Sequence, residues 1–543
     1  MWNASCPSTA PMIKTTSGSL ALRVAATAVV AVAMLLPGDV AQARETPPGV
    51  PASAPQSKSG RRTGTKGKRA RVSRAPAGPP KTSWTSPRGL PALTSDISGM
   101  VSNRVRGGKF GVMIVSLTRG DTLFAQNAGE MMQPASTMKL FSTAVALDRF
   151  GPEHTFSTDV LRDGAVGSDG TLQGNLYLRA DGDPSMSARF YKDPNLPMTT
   201  LARSVAATGI KHVTGDLVFD ASAFDDRKVP EGWKAKNLGA AYSAKVSALS
   251  LNENLVWVVV APSANGPHVT LEPATSTIPL RSTVRQVGGG GGRIAARKAA
   301  DGGIDVSGTI GSSSGPQKYS LVVDDPALFT AGALRSALEA NGVVVTGQVR
   351  PAKSPASAVK VASFTSPPLS EIVSEMNRES INIVAELLFR DAARATAPNG
   401  MSSADVGLAN LRDFLSKKAG TDPAGIHVFD GSGLSTLDSL TPRTMIHVLS
   451  YAHRGPWSSA YHGSLPVAGE SELLRRRMRG TPAEGNLHAK TGTTDTTIGL
   501  GGFVTAKDGE IVAFSFIYNG NDRWNAKATM DAMGATLANF VRE

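Results

Sequence analysis

Cysteine is almost missing: Cys6 is the single one in 543 residues. Such a chain has no disulfide framework, and its body supplies neither a thiol nucleophile nor a cysteine metal site. Cys6 precedes the most apolar run rather than following it, so it is not placed like a lipid-modified residue. The eight histidines are scattered without ligand-like spacing, and neither a metal nor a cofactor is expected. Apolar runs of membrane-spanning length are missing as well; the run from Val24 to Leu36 is too short for a comfortable span. Acids are missing from residues 44–90, which carry eleven Lys/Arg and one acid. Ten of the net thirteen positive charges therefore sit there, and residues 91–543 are left near +2. Aromatics are missing from the same stretch apart from Trp84. It lacks the interleaving of a nucleic-acid surface, and no nucleic-acid partner is expected.

The N-terminus reads as an export signal. Arg23 precedes the apolar run, Pro37-Gly38 breaks it, and Ala41-Gln42-Ala43 forms a small-x-small cleavage site. A signal of 43 residues is long, and Met12 is an alternative start; an uncleaved anchor is the competing reading. The expected location is outside the cytoplasm, periplasmic or cell-wall associated. Residues 44–90 are rich in Pro, Gly, Ser, Lys and Arg and cannot bury a core, so a disordered basic linker is expected. It is either a solvated spacer or an electrostatic attachment to anionic wall polymers or a membrane surface.

Order should begin near Leu90. Residues 93–104 suit a helix, and residues 110–126 a hairpin turning at Arg119-Gly120-Asp121. From 161 to 365 short β-like runs separated by Gly and Asp dominate, broken by helical stretches at 198–208 and 326–341. The run of glycines at 288–292 reads as a hairpin or loop. Helical patterning returns at 368–376, 382–395 and 403–418; two strands at 499–505 and 510–518 and a last helix at 523–542 follow. The expectation is one α/β domain, residues 91–160 plus 366–543, split by a β-rich insertion at 161–365 that holds two nested domains.

Three short motifs carry chemistry. In Pro134-Ala-Ser-Thr-Met-Lys139 an apolar helix begins beside a serine, and Ser136 and Lys139 lie three apart on one face. That spacing lets an amine take a hydroxyl proton. Ser380-Ile381-Asn382 falls between two helical runs, and Lys490-Thr491-Gly492 precedes the strand at 499. Singly each is weak; a capping serine with a surface lysine is the bland alternative. Together, in this order, they match the Ser-x-x-Lys, Ser-x-Asn, Lys-Thr-Gly set of penicillin-recognising serine enzymes.

Roughly 240 residues separate the first two motifs, far more than in class A β-lactamases. With flanks such as Gly182-Asp-Pro-Ser185, residues 246–254, Asp430-Gly-Ser-Gly-Leu-Ser435 and Leu465-Pro-Val-Ala-Gly469, residues 91–543 resemble the class C low-molecular-mass penicillin-binding proteins, D-alanyl-D-alanine carboxypeptidase/endopeptidases. The resemblance implies an α+β sandwich of the transpeptidase type, interrupted by inserted β-rich domains. It implies peptidoglycan stem peptides as substrates and covalent binding of β-lactam antibiotics.

The roles it implies are an acyl-enzyme on Ser136, Lys139 as base, Ser380 as proton relay and Asn382 as orienter. Burial and a nearby Lys490 are expected to lower the pKa of Lys139. Lys490 and Thr491 would hold the terminal carboxylate, Gly492 would let substrate lie close, and Ser136 and Thr493 would supply oxyanion N–H groups. Relatives place an acid near Asn237 for the free amine of the stem peptide, with Tyr242 as an aromatic wall. Relatives also follow the Asp430 motif with Arg-x-Asn, where this chain has Thr436-Leu437-Asp438. An amine of the diaminopimelate type is therefore expected to find Asp495 rather than Asp438. A β-lactamase is a competing reading, but no Glu-bearing deacylation loop is recognisable. A wall-binding module without activity is another; the intact Ser136, Lys139, Ser380, Asn382 and Lys490 argue against it.

Overall fold

The computed structural model describes residues 83–543. The export signal and most of the basic linker, through residue 82, lie outside the described residues. Order begins before the expected Leu90. The Thr85 N–H donates to Thr536 Oγ1 at 3.0 Å, and Arg88 bridges to Val541, so residues 83–89 are tied to the C-terminal helix.

The central sheet is antiparallel and five-stranded. Its strands are β1 (Lys109–Ser116), β2 (Thr122–Gln126), β3 (His488–Thr493), β4 (Thr497–Thr505) and β5 (Ile511–Asn519), in spatial order β2-β1-β5-β4-β3. The N-terminal hairpin thus pairs with the last strand of the chain, Lys109 opposite Asn519 and Ser116 opposite Val512. Both faces are covered, and the alternation of strand side chains decides which residue enters which core. Val112 and Ile114 face one layer, where α1 (Leu90–Arg104) packs beside α9 (Arg523–Ala538). Met113 between them faces the other layer. That layer holds α2 (Lys139–Phe150), α3 (Leu369–Glu379), α4 (Asn382–Arg394), α5 (Ala404–Lys417), α6 (Pro442–Arg454) and the short α7 (Ser458–Gly463). A further short element, the 3₁₀ turn α8, spans Glu472–Leu474 and buries Leu474. Helix α6 was not expected from the sequence. Thr441 caps it by accepting from the Thr444 N–H, Pro442 opens it, and Met445, Val448, Leu449 and Ala452 are buried.

The helix at the first motif does not start at the serine. Ala135–Met138 is a 3₁₀ turn, and the α-helix begins only at Lys139. In a 3₁₀ turn side chains three apart are nearly eclipsed, which brings Ser136 over Lys139 more closely than an α-helix does. No side chain caps this start, so Ser136 and Thr137 are not caps. The Thr137 hydroxyl instead donates to the Pro134 carbonyl at 2.7 Å.

The insertion leaves and re-enters the central unit on neighbouring strands. Ser157–Arg162 pairs antiparallel with Val359–Thr365, Ser157 opposite Thr365. Its first strand therefore begins four residues before the expected 161. A five-stranded sheet contains these two strands with Leu176–Ala180, Leu217–Asp220 and Val349–Pro351, and the helices Leu196–Ala207 and Pro326–Ala340 share its core. Two three-stranded sheets, spanning 255–322, lie between Leu217–Asp220 and Val349–Pro351 in the chain. The glycine run at 288–292 is not a hairpin. It joins Leu280–Val287 to Gly292–Lys298 across the intervening strand Ile304–Gly311. Among the described residues no helix is long and apolar enough to cross a membrane.

Candidate active site

The site sits where β3 meets the start of α2 and the break between α3 and α4. Lys139 is fully buried, and its Nζ lies 3.1 Å from Ser136 Oγ. The same amine donates to Asn382 Oδ1 at 2.6 Å and to the Ser432 carbonyl at 2.8 Å. Asn382 in turn donates from Nδ2 to the Tyr242 carbonyl at 2.8 Å, which fixes its amide orientation. Ser380 ends α3 in a left-handed conformation, φ 60°, and turns its hydroxyl toward β3. Lys490 Nζ donates to that hydroxyl at 2.9 Å and to the Thr491 carbonyl at 3.0 Å. Ala135, just before Ser136, also has a positive φ of 48°. Such backbone states in residues other than glycine are held only by the surrounding packing.

Two glycines permit close approach. A Cβ on Gly492 would lie 2.7 Å from the Pro134 carbonyl oxygen and 3.2 Å from the Thr137 nitrogen, so β3 reaches the serine turn only without a side chain there. Gly433, at φ 79°, places the Asp430 loop against the backbone of Ala135.

Electrostatics prepare a neutral amine. Burial lowers the pKa of Lys139 to about 7, against the pull of Asp430, Glu386 and Asp438, which raise it. The expected depression by Lys490 is not among the causes. It acts in the other direction: burial first, and then the charge of Lys139, hold Lys490 well below its ordinary range.

Residues beyond the motifs support this arrangement. Asp430 Oδ1 accepts from the N–H groups of Ser432 (3.1 Å) and Gly433 (2.6 Å), and Oδ2 from Ser435 N–H (2.6 Å) and Trp233 Nε1 (2.7 Å). One carboxylate thereby shapes the loop whose Ser432 carbonyl holds Lys139. Glu386, one turn along α4 from Asn382, accepts from the Gly431 N–H at 3.1 Å through each oxygen. Burial and the neighbouring Asp430 push its carboxyl up to about 8. The sequence motifs assign no role to Asp430 and do not include Glu386. The four-residue spacing from Asn382 was the available signal.

A cleft of about 400 Å³ opens over the serine, lined among others by Asn237, Tyr242, Thr436, Thr493 and Asp495. Each of these was expected in the pocket. Thr491 lies between Lys490 and Gly492 on β3, and its carbonyl accepts from Lys490 Nζ. One other residue was not brought there. Asp438 is buried, accepts from the Phe429 N–H at 2.8 Å and interacts with Asp430 beneath the loop, so it cannot meet a substrate amine. Asp495 does reach the cleft, but it is already paired with Lys234 (3.1 Å) and Lys236 (3.4 Å). Sequence reasoning missed both lysines, because nothing local links residues 234–236 to 495. Among the described residues no three His, Cys, Asp or Glu side chains are grouped to hold a metal.

Known proteins are similar to this chain over most of its length. The family model described as "D-Ala-D-Ala carboxypeptidase 3 (S13) family" matches residues 94–540. A D-alanyl-D-alanine carboxypeptidase of Actinomadura sp. (strain R39) is 34% identical over 471 residues, covering 83% of this chain and 85% of the relative. The D-alanyl-D-alanine carboxypeptidase DacB of Haemophilus influenzae is 25% identical over 440 residues, covering 79% of this chain and 90% of the relative. The crystal structure of penicillin-binding protein 4 (dacB) from Haemophilus influenzae superposes with a TM-score of 0.67 at 23% identity. It covers 80% of this chain and 98% of that one.

Proposed function

The chain belongs to the D-Ala-D-Ala carboxypeptidase 3 (S13) family of serine peptidases, and on that premise we propose that it hydrolyses the D-Ala-D-Ala bond of peptidoglycan stem peptides through an acyl-enzyme on Ser136. One observation carries the assignment of residues: a fully buried lysine with a pKa near 7 lies 3.1 Å from a serine hydroxyl at the floor of an open cleft.

The geometry supports a sequence of steps. Neutral Lys139 takes the proton of Ser136 as Oγ attacks the carbonyl carbon of the penultimate D-Ala. The oxyanion is met by the N–H groups of Ser136 and Thr493 across the close approach that Gly492 permits. The C–N bond breaks, and the proton passes from Lys139 by way of the Ser380 hydroxyl to the departing amine. Lys490, 2.9 Å from that hydroxyl, stands where the terminal carboxylate arrives, and the incoming negative charge favours its protonated form. Water then releases the acyl group with Lys139 again as base. Asn382 holds Lys139 in line through its 2.6 Å contact.

A β-lactam offers a strained amide carbonyl in place of the peptide carbonyl and ends as an ester on the same serine. Cross-links are a second substrate class, since the cleft is open at its rim. Export to the periplasm or wall rests on the Arg23–Ala43 pattern, and wall or membrane attachment on the +10 charge of residues 44–90. The catalytic unit is assigned to the segments either side of the strands Ser157–Arg162 and Val359–Thr365, with the insertion between. The test is mass spectrometry of the protein after incubation with penicillin. One adduct is expected on the peptide containing Ser136, absent in Ser136→Ala; an adduct at another residue rejects the assignment.

A further inference from the structure

The rim of the cleft has the wrong sign for an ammonium. Asp495 is the sole carboxylate among the side chains lining it, and Lys234 and Arg523 line it too. Lys236, outside the lining itself, meets Asp495 from the same turn as Asn237. Asp495 accepts from Lys234 Nζ at 3.1 Å and from Lys236 Nζ at 3.4 Å, and these two lysines hold its carboxyl below the ordinary range. Arg523 lines the cleft and donates from Nη1 to the Thr494 carbonyl at 2.7 Å; among the described residues it forms no salt bridge with a carboxylate. Asn237 contributes a neutral amide, and Asp438 is sealed beneath the loop. Two lysines therefore share the one acid, and Arg523 is a further cation lining the same cleft.

We infer that this cleft selects acyl donors whose side chain ends in a carboxylate and discriminates against those ending in a free ammonium, with Lys234 and Lys236 as the specificity-determining residues. The inference rests on the acyl-enzyme reading above and names the substrate class of that site. An ammonium reaching Asp495 has to displace both lysines and leave them side by side without a counter-charge. A carboxylate needs no displacement: each lysine has further N–H donors, and the bridge to Asp495 can be shared. The side chains of Lys234, Lys236 and Asp495 are 40, 68 and 61% exposed, so these pairs exchange readily and are open to salt screening.

The experiment uses three acyl-D-Ala-D-Ala peptides of equal length, identical except that the donor side chain ends in a carboxylate, a carboxamide or an ammonium. Their kcat/KM values are measured at low and high ionic strength. The carboxylate peptide is expected to exceed the ammonium peptide by about tenfold at low salt, the lower end for charge-assisted hydrogen bonds. The ratio should shrink toward one at high salt. The ratio, not the rate, is the readout in variants. K234Q/K236Q should abolish the preference, and Asp495→Asn should widen it by releasing both lysines. Equal values for the three peptides, or an ammonium preference, overturn the inference. A carboxylate preference that survives in K234Q/K236Q overturns the assignment to these lysines. Penicillin labelling of Ser136 is followed alongside. Its absence rejects the acyl-enzyme reading and this inference together, whereas labelling without discrimination rejects the inference alone.

Discussion

The insertion and the catalytic unit handle charge in opposite ways. In the insertion, many ion pairs sit in water, the buried Asp159 with Arg179 and Lys360 apart: Arg281 meets Asp301 and Asp305 at 2.7 Å with side chains 45, 58 and 58% exposed. Lys318 with Glu272, and Asp324 with Lys245 and Lys298, follow the same pattern. The catalytic unit instead buries Lys139, Lys490, Glu386, Asp430 and Asp438 within one small volume. A buried ionisable group is expensive unless hydrogen-bonded, and burial moves its pKa. Both units have cores of similar texture, rich in Val, Leu and Ala. The difference lies in where desolvated charge is concentrated, and that concentration locates the chemistry.

The largest expected effect breaks the catalytic side of this contrast. Arg at position 139 stays protonated, so Lys139→Arg should lower the rate of penicillin acylation by about 10³-fold or more. The wild-type profile carries the matching sign. A lysine whose pKa is lowered to about 7 is protonated and unable to accept below that value, so acylation should rise as pH climbs through about 7. Stopped-flow acylation across pH 5–9 checks both; a flat wild-type profile would remove Lys139 as the base.

A smaller effect is expected one layer below. In Asp430→Asn the amide keeps one acceptor oxygen and turns an NH₂ toward backbone donors that now pair with Oδ1 or Oδ2. Breaking a buried, charged network of this kind costs about 3 kcal/mol or more. Thermal unfolding should show a clear drop in Tm, and penicillin acylation should slow as the Ser432 carbonyl loses its position. An unchanged Tm would mean the loop does not depend on that carboxylate.

The smallest effect sharpens the other side. Arg281→Gln removes a cation with two partners, yet the pairs are solvent-exposed and their attraction is screened. Tm and acylation rate should both match wild type within replicate scatter. A marked loss in either would show that exposed pairs in the insertion matter as much as buried ones in the catalytic unit.

Much of the site could be read from short-range pattern. Ser136 with Lys139, Ser380 with Asn382, and Lys490 with Gly492 each lie within a few residues, and the helix and strand periods carry that information. The texture change near 161–365 was visible for a similar reason, because strand and turn signals are local. Helix α6 was legible too, in the Thr441 cap and Pro442, but its amphipathic face was passed over. The 3₁₀ start before Lys139 was not legible, since the packing of Gly492 and Gly433 against that turn comes from segments hundreds of residues away.

By itself the sequence determined the motif order, the near absence of cysteine, the uneven charge and the change from helical to strand-and-turn patterning near residue 161. Tertiary structure alone decided that Asp438 lies under the loop, that Asp495 is held by Lys234 and Lys236, and that Asp430 and Glu386 surround the buried base. The reason is range. Propensity and periodicity act over a few residues, whereas desolvation and ion pairing depend on distance in space, which folding sets between residues far apart in the chain.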